Sequence, residues 1–179
     1  MKTIMMLAAL VAATPAAAQD REAFRTGPVF EGFAPHAPVE SAAALPENAT
    51  FAVAFDVAEA AEEGKRNRHI ESAARFMNMH VAGGVAQDDI RLAVVVHGRA
   101  SMDLLSDAGW QAKGRGEANP SGSMIRAMLD AGIRVILCGQ SGAAHGLASK
   151  DLIPGVETAL SAMTAHALLQ QRGYTVNPF

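Results

Sequence analysis

The stretch "IRVILCGQSGAAHG", Ile133 to Gly146, decides the fold. Its first half is an apolar run that does not alternate with polar residues. A strand without alternation has both faces covered, the mark of a parallel sheet carrying helices on either side. The run stops at Cys138, and Gly139 with small polar residues follows, a composition suited to a tight turn into a helix. The same grammar recurs upstream. "FAVAFDV" (Phe51 to Val57) is a compact apolar run containing one acid, and "RLAVVV" (Arg91 to Val96) ends at His97-Gly98. Between them Ile70, Ala73, Ala74, Met77 and Val81 recur at helical spacing, and Gly83-Gly84 stops that helix.

After His97 the pattern predicts a short helix from Ser101 to Ser106 and then a polar loop, "DAGWQAKGRGEANP". A helix over Ser121 to Ala131 follows, with Met124, Met128 and Leu129 inward and Gly132 as its stop. Beyond Cys138 we expect a short helix over Ala143 to Leu147, a strand near Val156 to Leu160, and a helix from Ser161 to Arg172. Gly173 ends that helix, and "YTV" supplies a last strand. Strands alternating with helices predict an α/β fold with a mainly parallel sheet of about five strands and helices on both faces. Strand twist fixes the hand of the crossovers but not the strand order.

The first residues, "MKTIMMLAALVAATPAAAQD", combine Lys2, an apolar run from Ile4 to Ala13 and a small-residue end at Ala16 to Ala18. This is the pattern of a cleavable secretory signal peptide over residues 1–18, so a periplasmic or secreted location is expected. Cleavage would remove Lys2 and take the formal charge from −3 to −4, which argues against a nucleic-acid partner. No later run is long enough to hold the mature chain in a membrane. Residues 19–50, with Pro28, Pro35, Pro38 and Pro46, read as an extended arm. A short strand is expected in it around Val29 to Phe33, and the arm should pack across a sheet edge or a neighbouring subunit. One α/β domain fills 51–179, long enough to bury a full core.

Chemistry in an open α/β sheet sits beyond the carboxyl ends of the strands. Two strands here end in capable residues, His97 and Cys138, at the same sheet edge. Cys138 is the only cysteine, so no internal disulfide can form. A lone thiol in an exported protein is buried, paired with another chain, or reactive. Ser141 can cap the helix after Gly139, and the free amides of its first turn would favour a thiolate. A buried apolar role explains the same cysteine equally well, and the two readings stay open here. Asn119-Pro120 is sufficient as a capped helix start, although it would also aim amides into the crevice. The Met/His cluster "RFMNMH" is a weak metal motif, because Met77 and Met79 point to different helix faces. The sequence contains no P-loop, HExxH or CxxC.

Taken in order, "VVVHG", "NPSGSMIRAMLDAG", "VILCGQSGAAHG", "DLIPGV" and "LQQRGY" resemble the DsrE/DsrF-like family, in its exported single-domain branch, over about Phe51 to Phe179. The resemblance implies a three-layer α/β/α sandwich and assembly as a homo-oligomer, trimer or hexamer. Its best understood members carry sulfur as a persulfide on a cysteine eight residues before a glycine, the spacing of Cys138 and Gly146. Where those members often have arginine before that glycine, this chain has His145. The expectation is an exported sulfur-handling protein in which Cys138 accepts sulfane sulfur and passes it on, at most a carrier or transferase. His97, Asn119, Gly139, Gln140, Ser141 and His145 would line the crevice. Donor and acceptor would be thiol proteins or small sulfur compounds. No cofactor is implied, since the persulfide is the cargo. The alternatives are a ligand-binding or assembly module with an inert Cys138, and metal binding through Cys138 with His97 or His145.

Overall fold

A computed structural model of the chain describes residues 23–178, and the expected signal peptide lies outside them. Five parallel strands form one sheet: β1 (Phe51–Val57), β2 (Ile90–Val96), β3 (Arg134–Cys138), β4 (Glu157–Ala159) and β5 (Thr175–Asn177), in the order β4-β3-β2-β1-β5. Five α-helices join them: α1 (Arg68–Ala82), α2 (Asp107–Ala112), α3 (Gly122–Asp130), α4 (Gly139–His145) and α5 (Ala162–Gln171). From β1 to β4 the chain steps outward in one direction, and β5 returns to the far side of β1. A right-handed crossover that reverses its direction must pass over the opposite face. Hence α1 and α3 cover one side of the sheet and α5 covers the other, giving a three-layer α/β/α sandwich.

The two cores differ in thickness because the strands place different residues on each face. Val53, Phe55, Val57, Leu92, Val94, Val96, Val135 and Leu137 meet Ile70, Ala74 and Met77 of α1 and Met124, Ile125 and Met128 of α3. On the other face Ala54, Ala93, Val95 and Ile136 meet only Ala165 and Leu169 of α5. The alanines under α5 let that helix approach the sheet closely. This thinner layer carries the site.

The local signals act where their chemistry can be seen. Asn67 caps α1 by accepting from the amides of His69 and Ile70 at 2.9 and 3.1 Å. Ser161 caps α5 by accepting from Thr164 at 3.0 Å. Three expectations need correction. The segment 98–104 forms a 3₁₀ turn, and α2 lies inside the stretch expected to be a polar loop. Ser106 makes that difference, accepting from the Gly109 amide at 3.1 Å, while buried Trp110 anchors the helix. The helix after β3 begins at Gly139, four residues before the expected start.

The arm also departs from expectation. Val29 to Phe33 form no strand, and the arm's pairing is a single antiparallel bridge between Arg25 and His36. It lies against α1. Asn78 of α1, fully buried, accepts from the amides of Val29 and Phe30 at 3.1 and 2.8 Å. Its amide nitrogen donates to the carbonyls of Phe30 and Ala34 at 3.0 and 3.1 Å. Glu71 accepts from the Ala34 amide at 2.8 Å. Polar residues of α1 thus satisfy an extended segment that the sheet does not pair, and Phe30 enters the core.

Candidate functional site: the Cys138 crevice

The odd-and-even pattern of the strands fixes which side chains reach the α5 face. Counting up each strand, Ala54 and Asp56, Val95 and His97, and Ile136 and Cys138 alternate onto that side. Val96 pairs with Leu137, so the next residues, His97 and Cys138, are lateral neighbours at the carboxyl edge. Together with Asp56, Gln140, Ser141, Ser161, Ala162, Met163 and His166 they line an open crevice of about 370 Å³. It lies beyond the strand ends, where such folds place ligands.

Cys138 closes β3 and stands at the start of α4, with the start of α5 facing it across the crevice. Only 5% of the residue is exposed. Burial pushes the thiol pKa up. Hydrogen bonds from the Ser141 amide and hydroxyl, and from the amides of Ala162 and Gln140, outweigh that and hold it below its ordinary value. Amides from two helix N-termini therefore converge on one sulfur, and they favour its anionic form. The bend at Gly139 makes this possible, because a Cβ there would lie 2.7 Å from the Ala159 carbonyl. The thiolate is the nucleophilic form of cysteine, so this arrangement can attack an electrophilic sulfur or carbon.

Ser141 has a second partner. Its hydroxyl accepts from the Gly98 amide at 3.0 Å, tying the exit of β2 to the start of α4. Gln140 donates to the Leu160 carbonyl at 3.2 Å, tying α4 to the loop before α5. Three other sequence-derived candidates do not line the crevice: Gly139 makes the bend beside it, and Asn119 and His145 are held elsewhere. The amide nitrogen of Asn119 donates to the carbonyls of Asp103 and Leu105 at 2.8 and 2.6 Å, and its oxygen accepts from the Ser121 amide. His145 bonds the Gly98 carbonyl at 3.0 Å and supports the loop behind the crevice. Among the described residues no group of three or more His, Cys, Asp or Glu side chains is arranged to hold a metal ion.

The structure adds residues that sequence reasoning missed. Asp56, the one acid in "FAVAFDV", lies between two imidazoles, His97 Nε2 at 3.1 Å and His166 Nε2 at 2.7 Å. Burial pushes the Asp56 carboxyl up, but hydrogen bonds from His166 and His97 outweigh it and hold the group below the usual carboxylate range. The signal was present, since a carboxylate within a covered strand requires a partner. What could not be read was the partner, 110 residues away on α5.

A larger cavity of about 520 Å³ opens between the loop after β1 and the loop before α3, lined by Glu62, Lys65, Asp103, Trp110 and Arg115 among others. It contains no activated nucleophile. Its buried Asp103 is held by the Ala61 amide at 2.8 Å and the Asn67 side chain at 2.7 Å. The smaller crevice is the one that holds the cysteine.

A parallel α/β/α sandwich with a thiol at the strand-end crevice defines a class of single-cysteine α/β proteins. The sequence profile of the DsrE/DsrF-like family matches residues 50–178, and the chain belongs to that family. Membership suggests a role related to sulfur relay. A solved structure from Methanobacterium thermoautotrophicum, the protein of unknown function MTH1491, shares the fold. It has a TM-score of 0.53 and 16% identity, over 72% of this chain and 99% of its own. The ychN protein of E. coli is similar at a TM-score of 0.50 and 17% identity, over 72% of this chain and all of its own. No curated protein matches the chain significantly.

Proposed function

We propose that this protein is an exported sulfur handler that carries or transfers sulfane sulfur as a persulfide on Cys138. The observation that supports this reading above the others is the convergence of the α4 and α5 amides on a sulfur that lines an open crevice. In the loading step the Cys138 thiolate attacks the outer sulfur of a donor persulfide. A new S–S bond forms, the donor's S–S bond breaks, and its electron pair leaves on the donor thiolate. Delivery is the same exchange in reverse, with an acceptor thiolate attacking the outer sulfur held on Cys138. No external oxidant is consumed, because sulfane sulfur is passed between thiols. Gln140 and Ser141 edge the crevice and steady the loops around the anion. Donor and acceptor are small sulfur compounds or thiol proteins, and the exported location follows the expected signal peptide.

The test is mass spectrometry of the intact protein after incubation with polysulfide or thiosulfate. Cys138 gains one sulfur that dithiothreitol removes, and Cys138→Ser gains none. If the native protein gains no labile sulfur while a control thiol does, the carrier role is lost.

A specific observation favours a second reading, a non-catalytic ligand-binding or assembly module in which Cys138 is inert. Leu160 and Met163, 74% and 80% exposed, stand at the edge of this crevice and form a rim that a second surface could cover. Native alkylation separates the two. A cysteine that resists a small alkylating agent until the protein unfolds is core.

A further inference from the structure

We propose that His97 is the proton-transfer residue of the Cys138 crevice, with Asp56 the positioning residue that fixes its tautomer and His166 a brace on the second carboxylate oxygen. The proposal rests on the sulfur-carrier reading and adds a residue that moves the proton.

The geometry assigns the tautomers. An ionised carboxylate only accepts, so both imidazoles facing Asp56 must present Nε2–H to it. In a neutral ring the proton on Nε2 leaves Nδ1 with a free lone pair. The two rings then differ in what surrounds that atom. His166 Nδ1 is sealed from solvent and has no hydrogen-bond partner among the described residues. A proton placed there would be buried without an acceptor. The His97 side chain is 31% exposed and lines the crevice. As the residues that follow the paired Val96 and Leu137, His97 and Cys138 line the same crevice. His166 occupies the second oxygen of Asp56 and so holds the carboxylate in the plane that aims His97.

Other charged groups near His97 are engaged elsewhere. Arg99 is paired with Glu59, and His145 bonds the Gly98 carbonyl. Cys138 owes its depressed pKa to amides and the Ser141 hydroxyl. His97 is therefore free for a different step. Attack by the Cys138 thiolate on a donor persulfide, R–S–SH, yields Cys138–S–SH and the leaving thiolate R–S⁻. His97 Nδ1 takes the proton from the new outer S–H and delivers it to R–S⁻, which departs as R–SH. His97 begins and ends neutral, and the cargo remains as the anion Cys138–S–S⁻. One S–S bond has formed and one has broken, with charge conserved.

The experiment is single-turnover loading of Cys138 from glutathione persulfide as a function of pH. It is read by mass spectrometry beside native alkylation of the same cysteine. The wild-type rate carries a pH limb that alkylation of Cys138 does not show. His97→Gln loads about a hundredfold more slowly and loses that limb. Its alkylation stays within about twofold of wild type, because His97 does not hold the thiolate. Added imidazole restores loading to His97→Ala. Asp56→Asn keeps the shape but presents a donor to one ring, which displaces the pH limb with His97 still in place. Wild-type loading with an unchanged profile in His97→Gln overturns the proton-transfer role and leaves the carrier reading standing. An unchanged profile in Asp56→Asn overturns the positioning role. No loading of the wild-type protein at any pH overturns both readings together.

Discussion

Replacing Ser141 with alanine tests whether hydrogen bonding holds Cys138 as a thiolate. The Ser141 side chain is among the causes that hold the Cys138 thiol below its ordinary value, and its hydroxyl accepts from the Gly98 amide at 3.0 Å. A hydrogen bond to a charged group contributes about 1.5–3 kcal/mol. Its loss raises the thiol pKa and lowers the thiolate population accordingly. The rate does not fall by the whole of that amount. A more basic thiolate is a better nucleophile, with a Brønsted coefficient of about 0.4–0.5, so about half the effect returns. Exchange with a small disulfide probe, followed at a pH below both midpoints, should slow by about three- to twelvefold. The pH midpoint should move up. Loss of the Gly98 contact costs about 1 kcal/mol of stability, visible in urea unfolding as a separate effect. An unmoved midpoint in a folded Ser141→Ala protein would refute the reasoning and leave the helix amides as the only support for the anion.

Asn78→Ala removes the clasp between α1 and the arm and leaves the buried amides of Val29 and Phe30 without their acceptor. Urea unfolding should show a loss of about 2–4 kcal/mol, and limited proteolysis should cut the arm before the domain; a loss under about 0.5 kcal/mol would mean the arm is not clasped. Leu169→Ala empties the thin layer beneath α5, where Leu169 is 2% exposed. It should destabilise by about 2–5 kcal/mol and lower the thermal midpoint. Asp56 is held below the usual carboxylate range, so its ionisation stabilises the fold fully above about pH 3.9. That contribution is lost as pH falls through its depressed value. Asp56→Asn should therefore show a flatter decline of stability below pH 4 than wild type, and parallel curves would count against the pairing.

Reading the chain alone identified the architecture because its strands are short apolar runs separated by helices that end in glycine. That periodicity is a local property, and burial on both faces leaves a mark in each strand. The expectation of helices on both faces and the strand ends at His97 and Cys138 followed from the same local marks, while the family came from the resemblance of the ordered motifs. The α2 helix was hidden because a cap at Ser106 and one buried Trp110 outweigh a polar, glycine-bearing composition. The arm's course was hidden because its hydrogen bonds go to Asn78 and Glu71, side chains already accounted for as part of a helix.

At the crevice the division is sharper. Sequence marked Cys138, His97, Gln140 and Ser141 as residues at one sheet edge. It could not show that α5 would lie over that edge, since strand order decides which face each crossover covers. Only the return of β5 to the side of β1 brings the start of α5 to the sulfur and His166 to Asp56. Asn119 and His145 carried the right chemistry, but backbone carbonyls elsewhere occupy them. Local patterning thus determined which elements exist, because propensity and burial act over a few residues. Tertiary structure decided which polar groups meet, because hydrogen bonds form across whatever distance in sequence the topology closes.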